Sequence, residues 1–97
     1  MSDAKRQVAD VLREASVWLS RPGNDFAWSS WDNAEEALAE ISAHIAALDA
    51  GKLPPKRDLT VLFAPTGPIQ EVSVSSGWGD EFLALAAKFG RAVKRLG

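Results

Sequence analysis

Two serines, a Gly-Trp-Gly turn and two carboxylates stand in a row as Ser75, Ser76, Gly77, Trp78, Gly79, Asp80 and Glu81. A serine can act as a nucleophile when a neighbouring base takes its proton. The nucleophile elbow that builds such a site reads G-x-S-x-G, whereas Val74-Ser75-Ser76-Gly77 lacks the glycine ahead of the serine. The single histidine, His44, falls at the flank of a helical apolar stripe. A boundary histidine there ordinarily touches a carboxylate or a carbonyl, so neither serine reads as catalytic. Free N–H groups at a helix start near Gly79 could hold an anion, but Asp80 and Glu81 already supply the negative charge that the helix dipole favours. No lysine follows the glycines as it would in a phosphate-binding loop. The plainer expectation is that Ser75 or Ser76 caps the last helix, the glycines allow a sharp strand-to-helix turn, and Trp78 fills the core. General-base work by Asp80, Glu81 or Glu71 would need a carboxylate with a raised pKa in a cleft, and the sequence marks none.

One histidine and no cysteine leave few metal ligands and no thiolate or disulfide chemistry. Glu36 and Glu40 lie one helical turn apart, a spacing that can ligate a hard cation, but two carboxylates on a helix surface are ordinarily a solvated face. The expectation is no metal and no cofactor. Lys88, Arg91, Lys94 and Arg95 make a basic outer face on the last helix, which could meet a phosphate backbone. Cations near a helix C-terminus also complement the dipole, and an acidic pI near 5.3 argues against a nucleic-acid partner.

The tryptophans are the least ordinary feature, four in 97 residues with no tyrosine. Trp18 and Trp78 fall on apolar stripes. Phe26, Trp28 and Trp31 crowd into the stretch "NDFAWSSW" between Asp25 and Asp32. A loop stays near the surface because its backbone polar groups need water. Three large aromatics there either fold back as a lid or stand out as an anchor, and tryptophan is enriched at interface hot spots.

Charge is unevenly spread. Residues 1–50 carry four basic and nine acidic residues, and residues 51–97 carry seven basic and four acidic, so the halves hold −5 and +3 of the net −2. Between Arg21 and Lys52 there are six carboxylates (Asp25, Asp32, Glu35, Glu36, Glu40 and Asp49) and no Lys or Arg. An acidic segment and a basic end can attract each other within one chain or between chains.

The elements that must position these residues follow from periodicity. Val8, Val11, Leu12, Ala15, Trp18 and Leu19 predict a helix over 3–20, started by Ser2 or Asp3 and stopped by "RPG". Ala34, Leu38, Ile41, Ile45 and Leu48 predict a second over 32–50, with an Asp32–Glu35 capping box, a left-handed stop at Gly51 and alanines on its other face. "KLPPKRD" reads as a stiff extended connector. "LTVLF" (59–63) alternates Leu59, Val61 and Phe63 as a strand does. "PTGP" reads as a turn in which Gly67 can take positive φ. "IQEVSVS" (69–75) reads as the returning strand with Val72 and Val74 on one face, although Ile69 is out of phase with them. Trp78, Phe82, Leu85, Ala86, Phe89, Val93 and Leu96 predict a last helix over 79–96. The expected fold is a single α+β domain of ααββα order, its helices packed on one face of the hairpin.

The length fits one domain, no apolar run approaches the ~20 residues of a membrane span, and the N-terminus lacks the apolar stretch of a signal peptide. The expected setting is therefore the cytoplasm, with no membrane partner. With no credible catalytic set, the leading expectation is a non-enzymatic protein-interaction domain using Phe26, Trp28, Trp31, Glu35, Glu36 and Glu40 on a partner that is basic. One version of this is an immunity-type inhibitor shielding a basic enzyme. A second reading is a small-molecule module in which Trp18, Trp78, Trp28 and Trp31 line a pocket with Ser76 or Glu71 placing the ligand. A hairpin with two open edges would also favour a homodimer.

Overall fold

In a computed structural model that describes residues 3–65 and 67–96, the chain forms five helices and, among the described residues, no strand. They are α1 (Asp3–Leu19), α2 (Ala34–Asp49), α3 (Lys56–Leu62), α4 (Pro68–Ser76) and α5 (Gly79–Lys94). The expected α+β fold is thus corrected to an all-helical one. The three long helices lie within two residues of the spans their periodicity predicts. The hairpin does not exist.

The reason lies in which residues the segment buries. In the first expected strand the buried residues are Leu59, Leu62 and Phe63, an i, i+3, i+4 set, while Val61 is half exposed. In the second they are Ile69, Val72 and Ser73, again i, i+3, i+4, and Val74 faces solvent. A short helix hides such a set on one face where a strand would split it across two. Punctuation agrees with this. Pro55 precedes the first turn of α3, and Pro68 occupies the first turn of α4, where a missing N–H costs nothing. Gly77 ends α4 in the left-handed conformation, φ 87°. The extended connector shrinks to residues 52–55, because Lys56, Arg57 and Asp58 are already helical. Gly67 does not take positive φ; it is extended, with φ −81° and ψ 176°, and its N–H donates to Ala64 O at 2.9 Å.

Several caps also differ from expectation. Asn33, not Asp32, caps α2, its Oδ1 accepting from Glu36 N at 3.0 Å. Neither Ser75 nor Ser76 caps α5; both belong to α4, and α5 begins after Trp78 with no side-chain cap. Ser2 lies outside the described residues, and Asp3 is the first residue of α1. The stop of α2 is as expected: Gly51 has φ 81°, Gly51 N donates to Leu48 O at 3.0 Å, and Lys52 N donates to Ala47 O at 2.8 Å. These two bonds are the pair of a Schellman motif.

α1 is the central helix, packed on α2 and α5 and touching α4, while α4 packs on α5 and α3 on α4. Its buried face is Val8, Ala9, Val11, Leu12, Ala15 and Leu19. α5 answers with Phe82, Leu85, Phe89 and Ala92. Phe63, at the end of α3, stacks on Phe89 with ring centroids 4.3 Å apart and fixes the short helices to α5. The radius of gyration is 12.6 Å, against about 12.5 Å for a chain of this length folded as one domain. No buried side-chain nitrogen or oxygen among the described residues lacks a hydrogen-bond partner; Ser73, fully buried, donates to Gln70 O at 2.8 Å. No helix among the described residues is long and apolar enough to cross a membrane.

Candidate functional site

The loop between α1 and α2 starts from the end of α1. The last carbonyls of a helix have no partner within it, and Asn24 supplies one: its Nδ2 donates to Trp18 O at 2.8 Å and Leu19 O at 3.1 Å. Its Oδ1 accepts from the indole N–H of Trp78 at 2.9 Å. One side chain thereby ties the end of α1 to the start of α5. The next residue is tied as well, because Asp25 N donates to Ser76 Oγ at 2.8 Å. Asp25 Oδ1 accepts from Ala27 N at 2.9 Å, and Ser29 N donates to Phe26 O at 3.1 Å, closing a turn around residues 26–29. Trp31 N donates to Ser29 Oγ at 3.2 Å, and the Trp31 indole donates to Glu40 on α2 at 3.3 Å.

The lid and the anchor turn out to be different residues of this one loop. Trp31 is buried, and Phe26 is half-buried against the core. Trp28, between them, is 75% exposed. A hydrogen-bonded frame thus holds one large indole in water.

The carboxylates of residues 22–51 carry little compensation. Of the six in residues 22–51, Asp49 alone is in an ion pair among the described residues, with Arg13. That hydrogen bond, with the charge of Asp49 and of Asp10, holds the Arg13 guanidinium above its ordinary range. Asp25, Asp32, Glu35, Glu36 and Glu40 are all exposed and form no ion pair among the described residues. Glu40 also orients the Trp31 indole. Among the described residues the acidic segment and the basic end form no ion pair with each other; Lys88 bridges to Glu14 of the first half at 3.2 Å.

The other expected cluster is partly assembled. Trp18 and Trp78 stack with centroids 5.3 Å apart, and together with Ser76 they line a cleft of about 230 Å³. Glu71, Trp28 and Trp31 do not line it. Trp78 is buried, and the Arg21 guanidinium lies over the Trp18 ring at 4.6 Å, so the aromatic surface there is largely occupied by protein. Glu71 sits half-buried on α4, its N–H bonded to Gly67 O. Ser75 is exposed, Ser76 Oγ is taken up by Asp25 N, and no hydrogen bond among the described residues joins either serine to His44. No group of three potential ligands close enough to hold a metal ion occurs among the described residues.

Sequence reasoning missed Asn24 and Arg21. The signal for Asn24 was present: an Asn directly after Pro22-Gly23, where a helix has just left its carbonyls open. Gly23 does adopt φ 89° there.

No family model matches the chain, and no curated protein or solved structure is significantly similar to it.

Proposed function

We propose that the chain is a non-enzymatic protein-interaction domain that binds a basic partner surface through Trp28 and the carboxylates beside it. The observation that carries this reading is Trp28 itself, 75% exposed while both aromatic neighbours are packed. An exposed indole is tolerated on any surface, but this one stands in a loop tied to α1 by the Asn24 side chain, to α4 by Asp25 N and to α2 by the Trp31 indole. A pinned loop has little freedom left to lose on binding, which is the main cost that weakens loop-mediated contacts. Removing an indole from water releases a gross ~3–5 kcal/mol at the usual area coefficient. Asp25, Asp32, Glu35 and Glu36, unpaired and exposed, give the surface a negative field that steers a basic partner and sets its orientation.

The test is capture from the native cell by the wild-type chain, with Trp28→Ala and the Glu35→Gln/Glu36→Gln pair as controls. Both variants change exposed side chains and leave the fold intact. A partner held by wild type and lost by both variants supports the reading. A partner held equally by Trp28→Ala removes the anchor from it.

A further inference from the structure

α1 and α5 run antiparallel and leave a groove between them, divided by the Lys88–Glu14 bridge. On the side towards the end of α5 the groove opens into a cleft of about 440 Å³, within the range of about 300–1,000 Å³ typical of small-molecule sites. Its floor is apolar, made by Val11 and Ala92, both nearly buried. The bridge closes one end.

The charges lining the cleft are not equivalent. Glu14 and Lys88 neutralise each other. Asp10 is engaged by Arg13 at 2.9 Å. Arg91 and Arg95, on the α5 rim, have neither an ion pair nor a side-chain hydrogen bond among the described residues. They stand one helical turn apart, where like charges destabilise a helix by a few tenths of a kcal/mol. Lys94 complements the helix dipole from the same last turn without lining the cleft. Compensation of the dipole therefore does not require two arginines on this rim.

We propose that this cleft binds a small phosphate monoester, its phosphate between Arg91 and Arg95 and a compact apolar group on Val11 and Ala92. The guanidinium forks present more donors than one carboxylate can accept, whereas a phosphate dianion offers three terminal oxygens and satisfies both. The dianion also removes the repulsion between the two arginines. Gln7 closes the opposite wall with a neutral amide. Asp10 on that wall leaves the lining residues at a net +1, which suits one compact dianion and disfavours a polyanion such as nucleic acid.

The test is a backbone-amide NMR titration with phenyl phosphate, with inorganic phosphate, phenol and a short single-stranded oligonucleotide as separate arms. Wild type, Arg91→Gln/Arg95→Gln and Lys94→Gln are compared, all three confirmed as folded by circular dichroism. The expected result is saturable shifts confined to residues 7–14 and 88–95 with phenyl phosphate, weaker binding of inorganic phosphate, and none of phenol. Affinity should fall about tenfold or more in the double arginine variant, as loss of charge-assisted hydrogen bonds implies, and should be unchanged in Lys94→Gln. The proposal is overturned if phenyl phosphate produces no saturable shifts there in the millimolar range, or if Lys94→Gln weakens binding as much as the arginine pair. Tighter binding of the oligonucleotide than of phenyl phosphate overturns it as well.

Discussion

Gly67 gives the sharpest test of the helical segment 56–76. It is buried, and its backbone is ordinary, so no conformational preference of its own demands glycine. The demand is steric. A Cβ at this position would lie 2.3 Å from Val61 O, in the last turn of α3, and 3.1 Å from Ala64 O, in the turn that links α3 to α4, both main-chain atoms. Neither can swing away as a side chain can, so the linker itself must shift. Overpacking of this kind costs typically 1–3 kcal/mol, and a rigid obstacle puts Gly67→Ala near the upper end, about 3 kcal/mol. For a domain of this size each kcal/mol moves the melting temperature by roughly 4–8 °C, so the expected drop is about 12–24 °C. Gly67→Asn carries the same Cβ and should cost at least as much. If Gly67 instead held positive φ in a hairpin turn, Asn would be the mild substitution. Gly90 serves as the internal control: it lies within α5 with negative φ and open space where a Cβ would stand. Gly90→Ala should therefore stabilise by about 0.5–1 kcal/mol. Thermal melting by far-ultraviolet circular dichroism reads all three variants. A Gly67→Ala protein melting within a few degrees of wild type, or a Gly67→Asn protein distinctly more stable than Gly67→Ala, refutes the reasoning.

Three further outcomes follow from the packing. Trp31→Ala should cost about 3–5 kcal/mol, as truncation of a buried aromatic does, and Trp28→Ala should fall within about 0.5 kcal/mol of wild type; urea unfolding separates them. Asn24→Ala should lower the unfolding free energy measured in urea by about 1–3 kcal/mol, because it leaves the buried Trp78 indole N–H unpaired, with a shift in tryptophan emission reporting the change at that ring. Val72→Ala should cost about 1–3 kcal/mol while Val74→Ala is near neutral, since Val72 is fully buried and Val74 is 62% exposed; equal costs would restore a strand with both on one face.

The long helices were legible because each carries an apolar stripe over four turns or more, which no strand can mimic. The segment 56–76 was not, because Thr60, Val61, Ile69, Val72 and Val74 recur through its two apolar runs and β-branched residues favour strands by propensity. Seven and nine residues give a stripe only three positions long. The misfit was nevertheless visible: Ile69 out of phase with Val72 and Val74 is the mark of a helical i, i+3, i+4 set that uses Ser73 as its third member. A small buried serine bonded to its own helix does not announce itself as core. The aromatic loop was legible as a site but not as a division of labour. The indole that turns inward, Trp31, packs on the core and donates to Glu40, nine residues away in sequence. The edges that favoured a homodimer were tied to the hairpin and vanish with it.

The most direct test of the interaction reading uses the captured partner, purified, in a kinetic binding measurement against wild type, Trp28→Ala and Glu35→Gln/Glu36→Gln at low and physiological salt. Trp28→Ala should weaken affinity about 30-fold or more, the scale of a hot-spot loss, expressed mainly as faster dissociation. The glutamine pair should instead slow association, and wild-type association should slow as salt rises. A dissociation rate unchanged by Trp28→Ala, together with an association rate indifferent to salt, would contradict both halves of the claim.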